Sequence, residues 1–251
     1  MQLPYDGYTR RRIYLVRHGH ALGDGESSAR YSTDICLTPR GVREAEAMRE
    51  FLRAVPFDEA WSSDITRSHD TARLILQAHD LELRTSAAYR EIAVDLSTTL
   101  RGAHGDPKEH LQKFAYELWR ADEAGARLFG TGDYFAEYFE RVRVAMDELA
   151  LGATGNTLLL VAHSGFNRAA LCWASGAGLA GFGAFEQDPC CLNLLDIDLD
   201  PVERRIVRKH VRLANFTPLD PDKRDLRLTD SEVSAQKVAE LLSKMGGRTP
   251  G

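Results

Sequence analysis

The scarcity of cysteine, of long apolar runs and of net positive charge excludes several classes of protein at the outset. Only four cysteines occur, Cys36, Cys172, Cys190 and Cys191, and no two are spaced C-x-x-C. That argues against a zinc knuckle or dithiol redox centre and for reduced thiols, with the adjacent Cys190 and Cys191 as small buried side chains. The apolar run near the start, Ile13-Tyr14-Leu15-Val16, is four residues long and follows three arginines. It is too short for a membrane span or a signal-peptide core, so the expected location is cytoplasmic. Lysine and arginine total 32 against 37 aspartates and glutamates, a formal net charge of -5. No general field draws nucleic acid or an anionic membrane, and any anion site has to be local. Internal repeats and low-complexity tracts are absent too.

What is present describes a folded protein of enzyme size. With 251 residues, 43 % hydrophobic and 27 % charged, the chain reads as one domain, 1-251, carrying an inserted cap rather than as two independent domains. Short β-branched and apolar runs alternate with helical patterns. Ile13 to Val16 reads as a buried parallel strand. Thr38 and Pro39 then supply an N-cap and a first helical residue for a helix carried on by Val42, Ala45, Met48, Phe51 and Leu52.

A strand over 59-64 runs into a capped helix from Ile65 to Ala78, followed by a third strand near Leu81 to Thr85. The stretch of about 93-133, with six glycines and prolines around a helix expected from Pro107 to Arg120, reads as the cap. The aromatics Phe114, Tyr116, Trp119, Phe129, Tyr134, Phe135, Tyr138 and Phe139 are expected to pack the cap onto the sheet. Tyr134 to Leu151 reads as an amphipathic helix and Thr157 to Ala162 as the clearest buried strand. Cys191 to Ile197 and Arg205 to Val211 suit a hairpin turning at Asp198 to Pro201. A connector and helix of about 214-245 follow, either docked on the domain or free to bind a partner. Strands alternating with helices predict an α/β fold, a three-layer α/β/α sandwich with a mostly parallel central sheet.

In open parallel sheets ligands sit beyond the carboxyl ends of the strands. The residues there are Arg17, His18, Arg67, Glu91 and His163. Two guanidinium forks, two imidazoles and a carboxyl suit a phosphoryl group: the forks pair with its oxygens, and an imidazole can attack phosphorus.

These residues also carry a resemblance. Leu15-Val16-Arg17-His18-Gly19 resembles the signature of the histidine phosphatase superfamily, the phosphoglycerate mutase-like proteins. Leu37-Thr38-Pro39-Arg40-Gly41 is similar to that family's L-T-x-x-G, and the segment from Ser62 to Ala72 to its S-x-L-x-R-x-x-x-T-A. Glu91 stands where the family keeps a proton donor, and Val161-Ala162-His163-Ser164-Gly165 is similar to its second histidine motif.

The resemblance implies that His18 attacks phosphorus to form a phosphohistidine and that Arg17, Arg67 and His163 hold the phosphoryl oxygens, with Ser164 beside them. It further implies that Glu91 protonates the leaving group. The sequence departs from the pattern in two places. Asp24 stands where many relatives carry an asparagine, and Glu91 is followed by Ile92-Ala93-Val94-Asp95 instead of a glycine-rich run. Asp95 is therefore the reserve proton donor, and the roles of Asp24 and His20 stay open.

More ordinary roles also fit some of these residues. His163 could be a buried histidine capping a helix that begins at Ser164, and His69, His79, His104, His110 and His210, like Arg73, have the context of ordinary residues. No cofactor is expected and no metal either, since two arginines would repel a divalent cation. The leading reading is a phosphatase acting on a small phosphorylated metabolite, with neither nucleic acid nor membrane as partner and the oligomeric state open. Alternatives are a phosphoglycerate mutase-type phosphotransferase and a non-catalytic phospholigand-binding regulatory module.

Overall fold

The apolar run Thr157–Ala162 lies at the middle of a six-stranded sheet and is buried from its second residue onward. The computed structural model describes residues 7–21, 36–93, 116–130, 132–223, 228–229, 232–233 and 236, with the backbone alone at position 129. In chain order the elements are β1 (Thr9–Arg17), α1 (Pro39–Leu52), β2 (Glu59–Ser63), α2 (Thr66–Leu76) and β3 (Leu83–Ser86). Then come α3 (Phe135–Gly152), β4 (Thr157–Ala162), α4 (Ser164–Ser175), β5 (Leu192–Asp200) and β6 (Arg205–Phe216). The strand order is β3-β2-β4-β1-β5-β6. The first four are mutually parallel, while β5 and β6 run antiparallel at one side.

Each sheet face buries its own helices, which completes the three layers. On one face Ile13, Leu15, Leu158, Leu160 and Leu195 pack with Phe135, Val142 and Met146 of α3 and Phe166 and Ala170 of α4. On the other, Val16, Ala60, Leu159 and Val161 pack with Met48 and Leu52 of α1 and Ile75 of α2. Fully burying one such side chain contributes roughly 1.5–3 kcal/mol, so strands buried on both faces tie the layers together. Thr38 caps α1 by accepting from the Gly41 N–H at 3.1 Å, and Pro39 follows at the first helical position. By contrast α2, expected to be capped, has Ile65 at its N-cap position and no side-chain cap.

Several boundaries move, for reasons that lie in the pairing. β1 begins four residues earlier than its apolar run, because Arg10 and Arg12 pair with Asp198 and Asp196 across the β1/β5 ladder, both at 2.7 Å. The hairpin turn falls after Asp200, and β6 continues to Phe216, so the connector does not start at 214. Leu213 lies opposite Leu194 and Phe216 opposite Leu192, which keeps that end of the strand in the ladder.

Phe135 and Tyr138 belong to the inward stripe of α3 and not to the cap, whereas Tyr116 and Trp119 are exposed. Within the expected cap, Glu117–Arg120 and Leu128–Gly130 are 3-10 turns. The rest of the helix expected from Pro107, Phe114, and residues 94–115 as a whole lie outside the described residues. Of the expected terminal helix, Thr229 and Glu232 form a reciprocal cap, the Thr229 N–H donating to Glu232 at 2.8 Å and the Glu232 N–H to Thr229 at 3.2 Å. Most of 231–245 is outside the described residues.

Candidate active site

The parallel register brings the strand ends to one level. Arg17 is paired with Ala162 across β1 and β4, and Val161 with Ser62 across β4 and β2. The His18 N–H then donates to the Ala162 carbonyl at 3.0 Å, one step beyond the strand. Thus His18, His163 and Arg67 converge from three neighbouring strands, all nearly without solvent exposure. The rings of His18 and His163 lie 5.2 Å apart, edge toward face.

His18 is held in one tautomer. Its Nδ1 is 2.8 Å from the Gly19 carbonyl oxygen, which can only accept, so Nδ1 carries the proton. Arg67 Nε donates to His18 Nε2 at 3.1 Å, which requires a lone pair on Nε2. The imidazole therefore presents a nucleophilic nitrogen beside a guanidinium. The loop that carries it is set by close backbone approach: a Cβ on Gly19 would stand 2.6 Å from the Gly41 carbonyl oxygen. Thr71 joins this loop to α2, accepting from the Gly19 N–H at 3.0 Å and donating to the Arg67 carbonyl at 2.7 Å.

Arg17 is buried and donates from Nη1 to the Gln187 carbonyl at 2.6 Å. The two cysteines expected to be small buried groups brace the same turn. The Arg17 N–H donates to the Cys191 carbonyl and the Cys190 N–H to the His18 carbonyl, each at 3.0 Å. Burial pushes the Cys191 thiol up to about 12 and the Cys190 thiol well above its ordinary value, so both stay protonated.

His163 precedes α4 and makes no side-chain cap there; among the described residues neither ring nitrogen has a hydrogen-bond partner. Burial, followed by the charges of Arg67, Arg17 and Arg141 and the proximity of His18, holds its pKa well below 6.5. A neutral imidazole with unsatisfied nitrogens inside a ring of cations is poised to accept an anion's oxygens or its proton.

The same shift makes a stability prediction. In the unfolded chain a histidine takes up its proton near pH 6.5, whereas in the fold His163 resists it. Below pH 6.5 the unfolded state therefore binds more protons. Stability is full above that pH and is lost as pH falls toward the folded value, with a limiting slope of about 1.4 kcal/mol per pH unit. His79, lowered by burial and by Arg53, adds in the same direction. Urea unfolding between pH 7.5 and 5.5 should give a shallower pH slope for His163→Gln than for the parent; equal slopes would refute the assignment.

Glu91 follows the 3-10 turn Ala87–Tyr89 after β3 and reaches the same pocket half-buried. Its Oε1 accepts from the Ile92 N–H at 3.0 Å and the Tyr138 hydroxyl at 3.2 Å, and its Oε2 from the Gly165 N–H at 3.1 Å. A Cβ at Gly165 would collide with Glu91 Oε1, so any larger residue there would push the carboxylate aside. Ser164 opens α4, half-buried.

His20 sits on the rim, its Nδ1 2.9 Å from Thr38 Oγ1 and its N–H donating to Glu44 at 2.8 Å. Arg73 is exposed, as its helix position implied. Asp24, Asp95, His104 and His110 lie outside the described residues. Sequence reasoning missed Tyr138, Gly165, Thr71, Arg141 and Gln187 as site components. Only Thr71 and Gly165 stood inside quoted motifs.

A three-layer sheet that gathers two histidines and two arginines beyond its parallel strand ends defines the phosphoglycerate mutase-like class of α/β proteins. Within that class the chain belongs to the histidine phosphatase superfamily (branch 1), whose family model matches residues 13–208. A 2-carboxy-D-arabinitol-1-phosphatase of Triticum aestivum is 28 % identical over 193 residues, covering 76 % of this chain and 38 % of the relative. The chain thus spans 38 % of the length of the plant relatives it matches. An adenosylcobalamin/alpha-ribazole phosphatase of Salmonella typhi is 25 % identical over 186 residues, 74 % of this chain and 90 % of that protein. Among solved structures, mycobacterial glucosyl-3-phosphoglycerate phosphatase superposes with a TM-score of 0.66 at 21 % identity, over 82 % of this chain and 99 % of that one, a likeness of fold.

Proposed function

We propose that this chain is a phosphatase that hydrolyses a phosphate monoester of a small metabolite through a phosphohistidine on His18. The observation that carries the reading is the pinned tautomer: Nδ1–H on the Gly19 carbonyl and a lone pair on Nε2 facing Arg67 at 3.1 Å. The phosphatases among the relatives support the class of reaction.

In this reading Arg17, Arg67 and His163 take the phosphoryl oxygens, Ser164 lies beside them, and the guanidinium charge offsets what develops in the transition state. Nε2 forms a bond to phosphorus as the P–O bond of the ester breaks. The departing alkoxide takes the proton of the Glu91 carboxyl, leaving the alcohol and a carboxylate. Water then attacks phosphorus, gives its proton to Glu91, and releases inorganic phosphate with neutral His18 restored. Residues 93–133, in part outside the described residues, would form the cap over the substrate's remaining part. The buried thiols of Cys172, Cys190 and Cys191, none of them in a disulfide, suit a cytoplasmic location. No helix among the described residues is long and apolar enough to cross a membrane.

The test is phosphate release across a panel of sugar phosphates, phosphoglycerates and nucleotide monophosphates, run in excess chelator. Turnover of at least one small monoester is expected, at a rate unchanged by chelation because Arg17 and Arg67 supply the positive charge. Activity lost on chelation and restored by one particular metal would overturn the metal-independent mechanism.

A further inference from the structure

A carboxyl group that delivers a proton must hold it on the oxygen that faces the leaving group, and a symmetric carboxylate has no intrinsic means of choosing. The two oxygens offer four acceptor positions between them. At Glu91 three are taken: both on Oε1, by the Ile92 N–H at 3.0 Å and the Tyr138 hydroxyl at 3.2 Å, and one on Oε2, by the Gly165 N–H at 3.1 Å. The remaining position is on Oε2, the oxygen bonded to the first turn of α4, two residues after His163.

We propose that Tyr138 is a positioning residue for the proton donor, its buried hydroxyl closing Oε1 so that the transferable proton resides on Oε2. The arrangement serves both protonation states without a clash of donors, since the acid's proton enters the one position that no N–H or O–H of the described residues occupies. This rests on the reading of Glu91 as the general acid.

The hydroxyl is well held for such a role. Tyr138 is 2 % exposed, and Arg141 lies over its ring at 4.7 Å. Arg141 also donates to the carbonyls of Ala88 and Arg90 at 2.9 and 3.0 Å, fixing the turn from which Glu91 projects. One face of α3 thus aligns the acid's backbone through Arg141 and its carboxyl through Tyr138, three residues apart on neighbouring turns. The groups that meet the carboxyl are therefore Tyr138 from α3, the Ile92 N–H and the Gly165 N–H from α4, with Arg141 on the backbone carbonyls beside it. Burial and the nearby Glu91 push the Tyr138 phenol well above its ordinary pKa, which keeps it a donor.

Tyr138→Phe keeps the ring and removes the hydroxyl. The measurement is kcat/KM, which reports transfer to His18, for a series of alkyl and aryl phosphates that includes para-nitrophenyl phosphate. For the alkyl esters kcat/KM should fall about tenfold, the size of one misdirected hydrogen bond, and the dependence on leaving-group pKa should steepen. Para-nitrophenyl phosphate, whose leaving group needs no proton, should change by less than about twofold, and it also confirms that the variant is folded. Unchanged rates, or equal losses for both leaving groups, would overturn the role of Tyr138. Glu91→Gln run in parallel separates the two claims. If it loses alkyl activity selectively while Tyr138→Phe does not, only the positioning role fails; if Glu91→Gln itself shows no selectivity, the acid assignment fails first.

Discussion

His18→Ala is expected to abolish turnover of every substrate, lowering kcat/KM by roughly a thousandfold or more, which is about 4 kcal/mol or more of transition-state stabilisation. The imidazole supplies the one protein atom that bonds to phosphorus in the proposed cycle, and its loss removes the covalent step. Binding should survive. Arg17 is anchored by the Gln187 carbonyl and Arg67 loses its contact to Nε2, while both guanidinium groups stay in place to hold phosphate. The fold should survive as well. The cooperative unfolding transition should persist, since the β1/β4 register and the His18 backbone bond to Ala162 do not involve the ring. Acid-labile labelling from a phosphorylated substrate, present in the parent, should vanish in the variant. Retention of most activity, or of the label, would exclude the covalent route through His18.

Glu91→Gln should discriminate between leaving groups. An alkoxide departs poorly unless a proton arrives during P–O cleavage, whereas a nitrophenolate is stable without one. General acid catalysis is typically worth about a hundredfold to ten-thousandfold, so alkyl phosphates should lose on the order of 3 to 5 kcal/mol of transition-state stabilisation. Para-nitrophenyl phosphate should lose far less in kcat/KM. The glutamine is close in shape, and its amide oxygen can retain the Ile92 and Tyr138 donors that now meet Oε1. Its amide nitrogen cannot accept from the Gly165 N–H, so the para-nitrophenyl phosphate rate, which needs no proton, separates the missing proton from the loss of that contact. Asp95→Asn, measured beside it, separates the two carboxylates: a selective alkyl deficit in that variant with none in Glu91→Gln would move the acid four residues along the chain.

Much of this arrangement was legible before any coordinates. Buried parallel strands announce themselves as short apolar runs, and a residue that follows such a run lies at the carboxyl edge of the sheet wherever its neighbours pair. That is why Arg17, His18 and His163 could be placed from Ile13 to Val16 and from Thr157 to Ala162 alone. Arg67 followed from its position in the first turn after β2. The boundaries that moved did so for non-local reasons. Charged residues before Ile13 look like a loop until Asp196 and Asp198 arrive from the far end of the chain to pair with them. Residues up to Phe216 look like a connector until Leu192 and Leu194 stand opposite.

The site divides along the same line. By itself the sequence determined the chain order of strands and helices, the family, and the histidines and arginines that stand at the strand ends, because each of these depends on local periodicity or on a short motif. Only the tertiary structure decided which nitrogen of His18 carries the proton and why His163 stays neutral. It alone also revealed Tyr138, 47 residues from Glu91, and Gly165, 74 residues away, as donors to its carboxylate. A hydrogen bond depends on donors and acceptors meeting within about 3 Å, and partners so far apart in the chain meet only because the packing of α3 and α4 on the sheet brings them there.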